Sequence, residues 1–549
     1  HTAFIMANFG AKIFGASISG MTGAQSVIAN SANNIANVNS EGYSKRRVNL
    51  EARQTSASGT GINVGNGVDI GELERVSSTY LERQLRVSQS QSSAAGVTDD
   101  YLARVEPYFG FGGDFYTVGT GLNEFRDSLI DLSVNPSSIE LRSNVIAKAE
   151  NLVSSIRTSY GAIADLQNEA DGRIQTELLT VNSITKEIAA LNGRIKSAES
   201  VGGVAADERD KRDQLLNKLA EKISFEVTEI DDGSINLYLE SGFALVSGIK
   251  NYDLGFSRTP STGSTSPALD GGSLGFIVYD YNAGGAPAQH VDLTNQIGAG
   301  DGTIGALLRL RGYNYTGAPP SAFSTTTGTL PTLARDIEAI TQTLLTDFNT
   351  AYGGPLPQRA VDLNGNPPAL FGMFTVNIGG GTITDANANS IPELADIQAF
   401  LPGQTVFSHI LQVANTNPAS VAAGRDQAVN PGVDPIIAVP GDASNITGAN
   451  GLLADLDQPK GTFTISNVSY RDVYDNIVAT IGNERNQARI EVSVYESNYN
   501  AAKTKRDELS QVSLDEEFTN LIRFQRAFEA SARLIRIGDE LLQEIVSII

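Results

Sequence analysis

The chain has 549 residues, too many for one hydrophobic core, so several domains are expected. It carries 62 acidic against 40 basic residues, a formal charge of −22 with no basic block to offset it, which argues against nucleic acid or an anionic membrane surface as partner. Cysteine and tryptophan are absent and the three histidines (His1, His290, His409) are scattered, which removes disulfides, thiolate zinc sites, thiol nucleophiles and most histidine-based metal or triad chemistry.

The first residues, HTAFIMANFGAKIFGASISG, lack a charged segment followed by a clean apolar one, so a cleaved secretory signal is not expected. No apolar run approaches the roughly 18 residues of a membrane span. From Phe14 a stripe of Phe14, Ile18, Met21, Gln25, Ile28, Ala32 and Ile35 steps alternately by four and three, the rhythm of a coiled-coil seam. It runs into SANNIANVNSEGYSKRR (31–47), where Asn30, Asn33, Asn34, Asn37 and Asn39 crowd the helix end before Glu41-Gly42-Tyr43. Asparagine competes for backbone hydrogen bonds and weakens a helix, so this density needs a reason.

Residues 44–76 alternate as extended chain around a Gly65-Asn66-Gly67 turn, and a helix is expected from Thr79 to Glu106. The strongest helical pattern runs from Leu141 to Ile195, a rod roughly 80 Å long with Gly161 and Gly172 as bend points. SFEVTEIDDGSINLYLESGFALVSG (224–248) reads as a hairpin turning at Asp231-Asp232-Gly233, with a β-rich part over 251–300. Leu330–Phe348 returns to helix, with Ile337, Ile340, Leu344 and Phe348 on one face. Between 360 and 459 Arg425 is the only lysine or arginine, and Gly, Pro, Asn and Thr are frequent. Tyr470 to Tyr499 is helical again. The C-terminal stripe Leu514, Phe518, Leu521, Gln525, Phe528, Ala532 and Ile535 repeats the N-terminal rhythm and continues through Asp539 to Leu542 and Val546.

Neither terminal stripe can be buried by its own helix. The economical reading pairs the two ends; two amphipathic helices on separate cores is the alternative. The expected fold class is α+β and multidomain. Its parts are an α-helical coiled coil from 1–45 and 510–549, an extended hairpin linker at 46–78, a helical-bundle rod from 79–352 and 461–509, and an inserted β-rich outer domain at 353–460.

Catalytic patterns fail on context. Gly271-Gly272-Ser273-Leu274-Gly275 matches G-x-S-x-G but leads into a strand, where a nucleophile elbow needs a helix. Asp362-Leu363-Asn364-Gly365-Asn366 begins like a calcium loop, yet its glycine is at position 4 and Met373 stands where a bidentate glutamate is required. Asp515-Glu516-Glu517 after Ser513 reads as helix N-terminal dipole partners. No catalytic residue, cofactor or metal site is assigned, and the chain is expected not to be an enzyme.

GMTGAQSVIANSANNIANVNSEGYSKRR (20–47), above all ANNIANVNSEGY (32–43), resembles the N-terminal signature of the bacterial flagellar axial family of rod, hook and hook-associated proteins. VSLDEEFTNLIRFQRAFEASARLIRIGDELL (512–542) is similar to the matching C-terminal end, and the block at 207–248 resembles the hook-associated branch. The resemblance covers both ends and much of the rod and is weak over about 366–460. It implies a structural protein exported unfolded by the flagellar type III apparatus to an extracellular position at the distal end of the hook, as an adaptor between hook and filament. Implied partners are copies of itself, hook protein, a second junction protein and an export chaperone at the C-terminal helix. In this reading Asn30, Asn34 and Asn37 lie on a face offset from the seam and bond to neighbouring subunits or a wet channel, with Asn33, Asn39 and Tyr43 in the same motif and Gly42 supplying a positive φ. The plainer reading is a weak helix end capped by asparagine. Another axial component, or a secreted enzyme or adhesin acting through the β-rich insertion, are the competing functions.

Overall fold

A computed structural model describes residues 2–53, 65–110, 115–258, 274–279, 291–298, 300–313, 328–354, 359–366, 372–377, 397, 406–428, 439, 441–460 and 468–548; side chains are described from residue 13 on, except those of 545, 546 and 548. The G-x-S-x-G pattern lies largely outside the described residues, at 271–273. The chain is mostly helical with small antiparallel sheets. It parts into two compact units, one of residues 1–92, 181–252 and 494–549, the other of 93–180 and 253–493.

The first unit contains both terminal helices, α1 (Thr2–Ala36) and α13 (Leu514–Ile548). Between them in sequence come a hairpin, β1 (Arg46–Ala52) and β2 (Val68–Arg75), and helix α5 (Ala206–Lys222). Three further helices contribute residues to both units: α2 (Thr79–Val105), α4 (Ile139–Glu199) and α12 (Tyr470–Ser510). α4 is one continuous helix of 61 residues, through Gly161 and Gly172. Its expected stripe is buried from Val145 to Ile195 because the spacing puts each of these apolar residues on one face. The expected hairpin at 224–248 is part of a four-stranded meander, β3 (Glu226–Glu229), β4 (Ile235–Tyr238), β5 (Ala244–Ser247) and β6 (Lys250–Asn251). Two more pairings follow the turn, β5 covering the open edge of β4 and β6 that of β5, since a two-stranded ribbon alone is marginal.

In the hairpin of the first unit the ladder pairs Arg46 with Arg75 and slips between Val48 and Leu50, where the partner jumps from Leu73 to Ile70. This is a bulge, with two residues of β2 facing Asn49. Gly67, before β2, has φ +93°, and a Cβ there would come within 2.0 Å of Ser19 Oγ on α1. Only glycine lets the hairpin lie this close to the helix.

The second unit contains α3 (Val118–Val134), the sheet β7 (Leu254–Ser257), β8 (Phe276–Tyr279), β9 (Val291–Asp292), the helices α6 (Thr294–Gly298), α7 (Gly302–Arg311) and α8 (Thr329–Thr343), and the short helices α9 (Asn349–Gly353), α10 (Ser444–Thr447) and α11 (Leu452–Asp457). The expected helix Leu330–Phe348 is α-helical to Thr343 and then makes a π turn over Leu344–Phe348. Its core face is as expected, with Ile337, Ile340, Leu344 and Phe348 fully buried. Phe125, Phe348 and Phe374 form a triangle with centroids 5.4–5.6 Å apart, tilted to edge-on as aromatic quadrupoles prefer. Glu338 is buried, its carboxylate accepting bonds from Phe407 N, Ser408 N and Ser408 Oγ at 2.7–2.9 Å, which fixes the 406–408 segment to α8. The calcium-like stretch is a closed turn in which Asp362 Oδ1 accepts from Asn364 N and Asn366 N at 2.8 Å each.

Candidate assembly surface of the terminal helices

α1 and α13 pack against each other along their lengths. Their direction is fixed by three contacts: Asn34 with Glu517, Gly20 beside Ser531, and Phe14 against Gly538. Moving back fourteen residues along α1 moves forward fourteen along α13, so the pair is antiparallel. The two ends of the chain therefore meet.

The seam is not the one expected from apolar spacing. On α1 the buried positions are Ser17, Ser19, Gly23, Ala24, Val27, Ser31 and Asn34, of which Ser17, Ala24, Val27, Ser31 and Asn34 share a register with Gly20, one position off the predicted stripe. Ile18 is 49% exposed, Gln25 and Ala32 are exposed, and Phe14, Met21, Ile28 and Ile35 are only partly covered. The reason is that α1 is covered on two sides. The hairpin claims one face through Ser19, Gly23 and Asn30, and α13 claims the next, where small residues allow close approach. On α13 the expected Leu521, Phe528, Ile535 and Leu542 are half-buried, but the alternate positions shift by one, to Glu517, Phe524, Ser531 and Gly538. Leu514 and Phe518 are exposed, Gln525 is exposed, and Ala532 is half-buried. Val546 lies in the helix, with its side chain outside the description.

The asparagine motif divides in two. Asn34 is fully buried and saturated: its Nδ2 donates to Arg46 O (2.9 Å) and Glu517 Oε1 (2.8 Å), and its Oδ1 accepts from Tyr43 OH (2.8 Å) and Arg46 N (3.2 Å). Asn30 Nδ2 donates to the same Arg46 carbonyl at 2.8 Å. These two carboxamides act inside the chain, where the sequence reading assigned them to neighbouring subunits. A carboxamide has both donor and acceptor, so Asn34 serves the N–H and C=O of Arg46 as a neighbouring strand would. Asn33 and Asn39 are exposed, and Asn37 turns its amide to the Asn33 carbonyl and side chain (3.0 and 2.6 Å). The helix stops at Ala36, and Gly42, with φ +74°, works inside the following turn. A Cβ there would run into the side chain of Gln214 at 2.0–2.6 Å.

The base of the helix pair is held by charge. Arg46 and Arg75 sit opposite each other in the hairpin, an arrangement that repels unless neutralised. α5 supplies the neutralisation from one face, at a spacing of three: Asp207 pairs with Arg46, Asp210 with Arg75 at 2.7 Å, and Asp213 with Arg75. Ser44 N donates to Asp210 Oδ2 at 3.3 Å, and the Arg46 guanidinium lies 4.9 Å from the Tyr43 ring centroid. Burial, ahead of the nearby carboxylates, raises the Tyr43 phenol above its ordinary value. Sequence reasoning missed Arg46, Arg75 and the three aspartates. Their signal is the DERDKRD run, whose aspartates repeat every three residues. Glu517, read as a dipole partner, is instead buried against Asn34, while Lys45 pairs with Glu516 at 2.6 Å.

What remains uncovered on α1 is low in charge, whereas α13 mixes exposed apolar side chains with exposed charged ones such as Arg523, Arg526, Glu529, Arg533 and Arg536. α1 contains a single charged residue, Lys12. α13 exposes Phe518, Ile522, Leu534, Ile537 and Leu541, each 45–56% accessible. Exposed apolar side chains at this density on one helix mark an interaction surface. Among the described residues no cluster of three or more His, Cys, Asp or Glu side chains has the geometry to hold a metal, and no helix is long and apolar enough to cross a membrane.

Comparison with known proteins decides the affiliation. Residues 102–371 match the family model of the flagellar hook-associated protein FlgK helical domain, and 504–548 match the C-terminal model of flagellar basal body rod FlgEFG proteins. Flagellar hook-associated protein 1 of Bacillus subtilis is 26% identical over 95% of both chains, and that of Escherichia coli is 25% identical over 97% of this chain and 98% of its own. The chain belongs to the flagellar hook-associated protein family. It is a structural component of the flagellum and assembles with other flagellar components. The structure of the flagellar hook junction protein FlgK from Burkholderia pseudomallei shares the fold, with a TM-score of 0.57 at 16% identity, covering 78% of this chain and all of that one. The C-terminal match reaches rod proteins as well, so the terminal helix is what this hook-associated protein has in common with the wider axial family.

Proposed function

We propose that the chain is the adaptor of the hook–filament junction. It is exported unfolded, takes its place at the distal end of the hook, and self-assembles there into a layer that meets hook protein on one side and a second junction protein on the other. The observation that carries this reading is the pairing of α1 with α13 into a module that leaves a nearly uncharged face on α1 and the apolar side chains Phe518, Ile522, Leu534, Ile537 and Leu541 exposed on α13. Such a face is costly on a lone molecule and is removed from water by side-by-side packing of copies. The name of the Burkholderia protein, a hook junction protein, supports the same position. Before export the same α13 face suits a chaperone. Asn33 and Asn39, exposed, and the partly exposed Asn37, all at or just beyond the end of α1, are proposed as contacts to neighbours.

The test is the triple substitution Ile522→Glu, Leu534→Glu, Leu541→Glu in the native host, beside deletion of 514–549. Export of the folded-competent triple variant, with hooks that lack filaments and flagellin leaking into the medium, is the expected result. Normal filaments in either strain would return the terminal helices to a dispensable role.

A further inference from the structure

Within the first unit a cavity of about 530 Å³ opens where the 38–44 turn, the start of α2, α5 and the end of α12 come together. Its size falls within the roughly 300–1,000 Å³ of small-molecule sites. Glu82 of α2 lines it, 93% buried (7% accessible), and its Oε2 has no hydrogen-bond partner. Asn217 of α5 lines the same cavity with a buried Oδ1 that likewise has none. Buried oxygens without partners are expensive, and more so when charged, so two on side chains that line one space call for a donor.

The charged surroundings of Glu82 are mixed. Asp213 on α5 stands against it; Arg75 on β2, Arg86 on α2 and Arg506 on α12 stand for it. Arg75 directs its donors to Asp210, Asp213 and Ser44. Arg506 Nε is ion-paired with Asp507 Oδ1 at 3.1 Å. Burial first, and Asp213 second, outweigh the three arginines and raise the Glu82 carboxyl above its ordinary value. Lys218 and Lys503 also line the cavity, but acidic lining residues outnumber basic ones, and Tyr43 and Tyr499 add aromatic walls. Carboxylate, carboxamide oxygen and aromatic ring together suit a cation that donates N–H bonds.

We propose that this cavity binds an alkylguanidinium or alkylammonium cation, held by the Glu82 carboxylate and the Asn217 side-chain oxygen. The cation is either a free small molecule or the end of a basic side chain from a neighbouring subunit. The site stands on the cavity alone and does not depend on the junction role.

Calorimetric titration of the full chain with methylguanidinium chloride, at about pH 7.5 and against sodium chloride of equal ionic strength, tests it. Wild type is expected to give saturable heat, Glu82→Gln to weaken binding by about tenfold or more, and Asn217→Asp to strengthen it. Lowering the pH weakens wild-type binding as Glu82 takes up a proton, and leaves Glu82→Gln unchanged. Circular dichroism of both variants guards against misfolding. Absence of saturable heat in wild type means a cavity filled by solvent only and overturns the proposal, as does equal affinity in Glu82→Gln. The source of the cation is then read from light scattering during self-assembly. Inhibition by methylguanidinium identifies a neighbour's side chain, and no effect identifies a free ligand. That last arm alone uses the assembly reading.

Discussion

Asn34 satisfies a strand residue, a phenol and a carboxylate at once, which explains why a residue unsuited to helices stands on this helix. Asn34→Ala leaves the Arg46 N–H, Tyr43 OH and Glu517 without their Asn34 partner in a buried place, while Asn30 still serves the Arg46 carbonyl, a loss on the order of 3 kcal/mol. Native-state hydrogen exchange should show the Arg46 amide losing protection by at least about a hundredfold. Asn37→Ala, at a partly exposed position bonded to its own helix, should leave that amide unchanged. Equal behaviour of the two variants would return both asparagines to the same role. Glu338 gives a second test at this scale, through pH. Burial raises its carboxyl above the ordinary value despite the bonds it accepts. A folded value above the unfolded one means that the native state holds the proton longer. Its contribution favours folding below the unfolded value and disappears as pH rises through the folded one. The stability advantage of wild type over Glu338→Gln should therefore shrink as pH rises from the ordinary carboxylate range through the raised folded value, measured by urea midpoints at a series of pH values.

Among elements, the terminal helices show what periodicity can and cannot say. The four-three rhythm placed both helices and their need for partners, and Leu521, Phe528, Ile535 and Leu542 do face inward. The α1 stripe was displaced by one position because apolar spacing marks where hydrophobic side chains are, not which face a neighbour approaches. Two neighbours approach α1, and both need small residues there: Gly20, Ala24 and Ser31 toward α13, Ser19 and Gly23 toward the hairpin. The apolar positions left over are those that a monomer has no use for. Ala24→Leu should overpack the seam, at about 1–3 kcal/mol, and release α1 in hydrogen exchange. Gln25→Leu, next to it but exposed, should change monomer stability by less than about 0.5 kcal/mol. Comparable losses in both would place the seam back on the predicted stripe.

For the molecule as a whole, the helices, the β-hairpins and the flagellar resemblance were legible because each rests on local pattern. What was not legible depends on residues far apart in sequence. DERDKRD looks like a solvated helix start until Arg46 and Arg75 are brought opposite each other in one hairpin. The cavity beside Glu82 needs four separate segments before it exists. The division into two units, with α2, α4 and α12 contributing to both, likewise has no boundary signal in composition, because a continuous helix carries none.

The bond between Asn34 and Glu517 joins residues 483 apart in the sequence. Closing a flexible loop of that length costs about 5 kcal/mol in chain entropy, against less than half of that for a ten-residue turn. The antiparallel helix pair is therefore a late event in the life of the chain. Its N-terminal half has to wait until nearly all of the polypeptide has arrived, and folding of the intervening segments shortens the effective loop only as they form. A chain interrupted anywhere before α13 keeps α1 without its mate. The surface that the helix pair presents thus belongs only to molecules that already contain α13, and under the proposed assembly its use is timed by the arrival of that helix.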